Sequence, residues 1–188
     1  INLCSYPQYT VGPVFPIGLV KIKSHLEKNN YTCDILDYNQ EPILDIDNIL
    51  EQPYKVIGVS IRNIDSIELD SKVIYNKYVQ FINELYKKKI QYQKTFKLVV
   101  GGSGYSLYNS QINALINFDY GIIGNGEDVF LKLLTEQNLP KIIFSRESSM
   151  ETILYDSELV KAYLKLSPEM YIGIQTYDGQ CLQNCIYC

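Results

Sequence analysis

Cys181, Cys185 and Cys188 form a C-x3-C-x2-C array in the octet Cys181-Leu182-Gln183-Asn184-Cys185-Ile186-Tyr187-Cys188. Three thiolates that close together can hold three corners of one iron–sulfur cube. A four-iron cluster then keeps one iron free of cysteine, where a small molecule can bind and react. Zinc is the first competitor, but a structural zinc site takes four ligands, usually two C-x2-C pairs or added histidines. The single histidine, His25, falls in a predicted helix and is expected on its exposed face. Zinc would therefore need a fourth ligand beyond residue 188. A bacterial ferredoxin-type run uses C-x2-C-x2-C spacing, which differs by one residue.

The remaining cysteines, Cys4 and Cys33, fall in predicted strands and are expected to be free buried thiols. Five cysteines with three in one octet do not make a disulfide scaffold, and a reducing cytoplasm fits best. The chain of 188 residues suits one domain and the beginning of another, and 46% hydrophobic with 20% charged residues is ordinary for a globular protein. Net charge is −4, and the run Lys87-Lys88-Lys89 is expected to be a solvated helix end rather than a phosphate track. Nucleic-acid binding through a basic face is therefore disfavoured. No stretch approaches the ~20 apolar residues that span a bilayer, and no signal-peptide pattern opens the chain. The expectation is a cytoplasmic protein with neither nucleic-acid nor membrane partners.

Upstream of the octet, short β-branched runs alternate with helical periodicity. Strands are predicted at Ile1–Ser5, Thr32–Tyr38, Lys55–Ile61, Phe96–Gly101, Tyr120–Ile123 and Lys141–Ser145. Helical spacing relates Leu19, Ile22 and Leu26, then Ile74, Tyr78, Phe81, Ile82 and Leu85 within 71–89. It recurs at Ile112, Leu115 and Ile116, and again at Val129, Phe130, Leu133 and Leu134. Runs such as Val56-Ile57-Gly58-Val59 and Leu98-Val99-Val100 are apolar without alternation, as strands covered on both faces are. The pattern predicts a doubly wound, Rossmann- or flavodoxin-like α/β domain with a mainly parallel sheet. Residues 146–168 read as a linker with one short helix, and Met170–Gln175 as a new strand running into the cysteine loop.

Such sheets bind ligands outside the carboxyl ends of their strands. The third strand leaves through Ser60, Arg62 and Asn63. The fourth leaves through Gly101, Gly102, Ser103 and Gly104, and the fifth through Gly124, Asn125, Gly126 and Glu127. Glycines there let backbone N–H groups approach a ligand closely. Together with Pro16-Ile17-Gly18 they suggest a long groove for a ligand with a nucleotide-like tail. The dinucleotide G-x-G-x-x-G fingerprint is not matched, which disfavours NAD and FAD.

A C-x3-C-x2-C array after a first barrel strand, with the aromatic Tyr187 just before its last cysteine, resembles the signature of the radical S-adenosylmethionine superfamily. The resemblance implies that Cys181, Cys185 and Cys188 hold a four-iron four-sulfur cluster. Its free iron would chelate S-adenosylmethionine, with Tyr187 near the adenine, and one-electron reduction would give a 5′-deoxyadenosyl radical. The upstream part resembles the cobalamin-binding domain that precedes the radical barrel in one branch of that superfamily. The matching runs are Pro16–Leu19, Asp34–Asn39, Gly101–Gly104 and Tyr120–Glu127. The runs Ser60–Ser66 and Gly101–Tyr108 look closest to the group containing tryptophan C-methylating enzymes.

On that resemblance the organisation is a cobalamin-binding domain at 1–145, a linker at 146–168 and the start of a radical domain at 169–188. The implied function is methyl transfer from S-adenosylmethionine through cobalamin to an unactivated carbon, on a small-molecule or peptide substrate, with an external one-electron reductant. A stand-alone cobalamin-binding module acting with a partner is the alternative, as is a cobalamin-dependent radical cyclase or rearrangement enzyme. The barrel would be truncated here, and the 188 residues alone are expected to be inactive. Many cobalamin domains carry a cobalt-ligating histidine after the first strand, but Ser5–Phe15 has none. The expectation is then that Arg62, which is no cobalt ligand, lies near the cofactor's lower face, or serves as an ordinary ion-pair residue.

Overall fold

The computed structural model describes residues 1, 3, 15–40, 44–62, 71–145 and 153–167. The strand predicted at Met170–Gln175 and the cysteine octet lie outside them, as does Cys4. Four parallel strands, β1 (Val56–Ser60), β2 (Lys97–Gly101), β3 (Tyr120–Gly124) and β4 (Ile142–Ser145), lie side by side in chain order. The register runs from Val56 opposite Lys97 to Ser60 opposite Gly101, and from Gly121 opposite Ile142 to Gly124 opposite Ser145. Ile1 pairs along the free edge of β1, its nitrogen donating to Gly58 O at 2.5 Å and its carbonyl accepting from Ser60 N at 3.0 Å. The predicted α/β architecture is thus the observed one, with the helices α1 (Ile17–Lys28), α2 (Ile46–Glu51), α3 (Ser71–Gln91), α4 (Ser103–Asn113), α5 (Glu127–Thr135) and α6 (Ser157–Leu166).

The sheet is covered on both faces because its central strand has no polar side. Leu98, Val99 and Val100 are all buried. Leu98 and Val100 join Ile57, Val59, Tyr78, Ile82 and Leu85 in one core. Val99 joins Ile122, Val129 and Leu133 in another. Each such fully buried side chain contributes roughly 1.5–3 kcal/mol. So α3 and α4 lie on one face, while α5 covers the other with α1 beside it.

Three expectations change. Thr32–Tyr38 forms no regular strand; it is extended, with Asp37 making one isolated bridge, and Cys33 is a half-buried free thiol rather than a strand-core residue. His25 is not a surface residue: it is 7% exposed, with Nε2 3.1 Å from Asp128 Oδ1. The reason is that α1 is flanked on two sides, by α5 at His25 and by the segment before α6 at Ser24, whose Oγ accepts from Leu154 N at 2.8 Å. The lysine run is also not wholly solvated. Lys88 pairs with Asp47 at 2.7 Å, while Lys89 is buried against Asp119, whose carboxylate also accepts from Leu98 N at 2.6 Å.

Two helices sit where the sequence shows little periodicity. α2 is nucleated by Asp45, whose side chain accepts from Asp47 N at 2.9 Å. α6, within the predicted linker, is capped by Asp156, which accepts from Glu158 N and Leu159 N at 3.0 and 3.2 Å. It docks through the buried Tyr163, whose hydroxyl donates to Asp37 Oδ2 at 2.6 Å and accepts from Asn39 Nδ2 at 3.0 Å. The Tyr163 ring also meets Phe15 edge-on at 5.3 Å.

Candidate functional site: a groove at the strand exits

Parallel strands deliver their carboxyl ends to one edge, so the loops after β1, β2 and β3 meet there. Two of them turn on glycines whose backbone no L side chain adopts comfortably. Gly102 has φ +95° and ψ 174°, and Gly124 has φ +95°. A Cβ on Gly102 would stand 2.6 Å from Ile61 O, and one on Gly124 would stand 2.0 Å from Ser145 O. The loops are laced together by backbone. Ile61 N donates to Gly101 O at 2.7 Å, and Gly104 N to Ile61 O at 2.9 Å. Ser106 Oγ of α4 accepts from Gly124 N at 3.0 Å, joining the second loop to the third.

These loops rim a cavity of about 810 Å³, within the range of small-molecule sites. Of the residues singled out in the sequence, Ser60, Gly101, Gly102, Ser103, Gly124, Asn125, Gly126 and Glu127 all line it. Gly104 is buried behind the rim, and Arg62 is half-buried just past β1, outside the lining. Asn63, Tyr187, Cys181, Cys185 and Cys188 lie outside the described residues. Among the described residues, no group of three or more His, Cys, Asp or Glu could hold a metal ion. None of the helices there is long and apolar enough to cross a membrane.

The cavity is a groove rather than a bowl. Its lining continues from Ser60 down β1 to Val56, a five-residue strand that spans ~13 Å at about 3.3 Å per residue. One wall is the sheet. The other comes from α1, through Leu19 and Ile22, and from α5, through Phe130. Lys21 Nζ pairs with Glu127 Oε1 at 2.9 Å across these helices, and His25 Nε2 stands 3.1 Å from Asp128 Oδ1. The Lys21 and Glu127 side chains are only 11% and 7% exposed. Glu127 opens α5, where a carboxylate faces the positive end of the helix dipole. Its side chain is therefore committed to the seam between α1 and α5. Burial pushes the Cys33 thiol, also on the lining, above its ordinary value, so it stays protonated and unreactive.

Sequence reading finds the rim but not the wall. Lys21, Ile22 and Phe130 belong to ordinary amphipathic stripes, and only the seam between α1 and α5 turns them toward a cavity. The groove suits cobalamin as the sequence resemblance implies it: Leu19, Ile22 and Phe130 offer apolar surface for a tail, and the glycine backbone at the strand exits lets a polar group come near. Such a fold and groove define a doubly wound α/β domain that takes a long ligand at its strand exits.

Residues 9–134 match the B12 binding domain family, and the chain belongs to it. Among solved structures, the fold resembles the radical S-adenosylmethionine methyltransferase TsrM from Kitasatospora setae with tryptophan substrate and an S-adenosylmethionine analogue bound. Identity there is 22% and TM-score 0.50, over 65% of this chain and 23% of that one. The same enzyme with cobalamin and a 4Fe–4S cluster bound matches at 21% identity and TM-score 0.50, over 65% and 22% of the two chains. The likeness thus spans under a quarter of those chains' length. No curated protein sequence matches this one.

Proposed function

We propose that this chain is the cobalamin-binding, N-terminal part of a radical S-adenosylmethionine methyltransferase. The observation that carries the reading is the conjunction of a B12 binding domain over residues 9–134 with the C-x3-C-x2-C array at 181–188. In this reading the domain occupies 1–145, the segment 146–168 leads out of it, and 169–188 open the catalytic part. The rim backbone at Gly101–Ser103 and Gly124–Glu127 holds the corrinoid's polar periphery, and the groove along β1 takes its tail. Cys181, Cys185 and Cys188 hold a four-iron four-sulfur cluster, and Tyr187 lies beside S-adenosylmethionine. Bound cobalamin supplies a carrier that can pass a methyl group to an unactivated carbon, while the protein's share is to orient it and exclude water. The substrate is a small molecule or peptide, the electron comes from an external reductant, and the setting is the cytoplasm.

The chain's one histidine is engaged with Asp128 in the α1–α5 seam, and the loop 5–15 has none. The bound cofactor is therefore expected to show no imidazole coordination. Hydroxocobalamin added to the 188-residue chain should co-elute on gel filtration with such a spectrum. Anaerobic iron–sulfur reconstitution should add a cluster absorbance that Cys185→Ala removes. Cobalamin retained with no cysteine-dependent cluster would instead favour a stand-alone binding module. Failure to retain cobalamin would overturn the reading.

A further inference from the structure

The extended segment after α1 has two neighbours at once. Thr32, Cys33, Asp34, Ile35 and Leu36 line the groove, and the same stretch seats α6 at two points. At the first, Lys23 Nζ of α1 donates to Cys33 O at 2.9 Å and pairs with Asp156, the N-cap of α6, at 3.5 Å. At the second, the Tyr163 hydroxyl donates to Asp37 Oδ2 at 2.6 Å. Both side chains are buried, and Asp37 Oδ1 accepts from Asn39 N at 2.9 Å, so the carboxylate is held through both oxygens. Between the two points Ile35 lines the groove and also packs on the cluster of Phe15, Val20 and Tyr163. The segment forms no ladder beyond the single bridge at Asp37. Backbone without a ladder is easily opened and takes its order from what packs on it. Here that is the occupant of the groove on one side and α6 on the other.

We propose that Tyr163, acting through Asp37, is a positioning residue that couples occupancy of the groove to the seating of α6, from which the chain runs on towards Cys181. This rests on the cobalamin reading above for the occupant, and adds to it a route from the binding domain to the part that follows. A ligand lying along residues 32–36 restricts that segment, so α6 then docks on a seat already ordered and loses less entropy in doing so. The coupling is reciprocal: a seated α6 favours the ligand by the same factor. The hydroxyl is the link that can be cut alone, since Tyr163→Phe removes its bond to Asp37 and leaves the ring on Phe15.

The test is amide hydrogen exchange of the 188-residue chain, read over α6 by mass spectrometry with and without saturating hydroxocobalamin. Cobalamin should slow exchange in α6 of the parent by roughly fivefold or more. Tyr163→Phe should lose most of that response and, by reciprocity, hold cobalamin more weakly in equilibrium dialysis. Lys161→Ala, which breaks only the exposed pair with Glu158, should keep the parent's response. Exchange in α6 that ignores cobalamin, or a response undiminished in Tyr163→Phe, would overturn the proposal while leaving the cobalamin reading intact. So would an equal loss of response in Lys161→Ala, which would mark general loosening of the helix. A parent that retains no cobalamin would remove both.

Discussion

Replacing Gly102 with alanine tests whether the rim is built on glycine for backbone reasons. At φ +95° and ψ 174° the residue sits where essentially glycine alone is found, and forcing another residue there costs ~1–3 kcal/mol. The added Cβ also meets Ile61 O at 2.6 Å and Ser60 Oγ at 2.9 Å. The carbonyl cannot swing aside cheaply, because Ile61 is bonded through its N–H to Gly101 O at 2.7 Å and through its oxygen to Gly104 N at 2.9 Å. Overpacking of this kind adds ~1–3 kcal/mol. The total is about 4 kcal/mol, a large part of the ~5–15 kcal/mol that holds a domain. In a chain of this size each kcal/mol moves the melting temperature by ~2–4 °C, so Gly102→Ala should melt about 8–16 °C lower in a thermal scan by circular dichroism. Gly18→Ala is the matched control: its Cβ would meet nothing within 4 Å, and a glycine-to-alanine change in a helix gains ~0.5 kcal/mol. If Gly102→Ala melts within ~2 °C of the parent, the rim relaxes around a side chain and the argument for a glycine-dictated edge fails.

Breaking the wall should be costly in a different way. Lys21→Met leaves Glu127 buried without its cation, a loss of ~3–5 kcal/mol. Lys21→Met combined with Glu127→Gln should recover more than half of it in urea denaturation, and a double variant no more stable than the single one would count against the pair. Tyr163→Phe removes the hydrogen bond to Asp37, worth ~1–3 kcal/mol, and should hasten proteolytic release of α6 at unchanged sheet content; unchanged cleavage would show that α6 docks without it. Asp156 responds to pH. The Leu159 and Glu158 N–H groups and the Lys23 ammonium hold its carboxyl below the ordinary value. Because the folded value is depressed, its contribution is fully present above the ordinary pKa of about 4 and is lost as pH falls through the folded value. Near-ultraviolet circular dichroism should report α6 loosening in that acid range, with Asp156→Asn flattening the change; an identical acid limb in the variant would exclude Asp156 as its source.

What the sequence makes legible here is whatever answers a local demand. Gly102 follows a strand, Gly124 ends one, and both take positive φ, and residue type alone advertises that. Leu98-Val99-Val100 advertises a strand covered on both faces because no polar side chain interrupts it. Partners brought together by tertiary packing carry no such mark. His25 reads as a surface residue because Asp128, which explains its burial, opens a helix near the other end of the domain. Lys89 reads as part of a solvated run until Asp119 is placed beneath it. Phe130 reads as one more position in an apolar stripe, and Gly58 as a weak residue in a strand, until α5 sets the ring tip over that glycine.

The same division runs through the site and has a consequence for how it can vary. The rim comes from strand exits, where backbone conformation restricts the choice of residue, so change there registers first as lost stability. The wall comes from the facing sides of α1 and α5, where Lys21 and Glu127 hold each other and Phe130 packs on the Val99 core and over Gly58. A compensated pair of changes in the wall can reshape the slot while every rim hydrogen bond persists. Among domains with the same strand-exit glycines, variation in the groove is thus expected on these two helix faces rather than in the glycine loops.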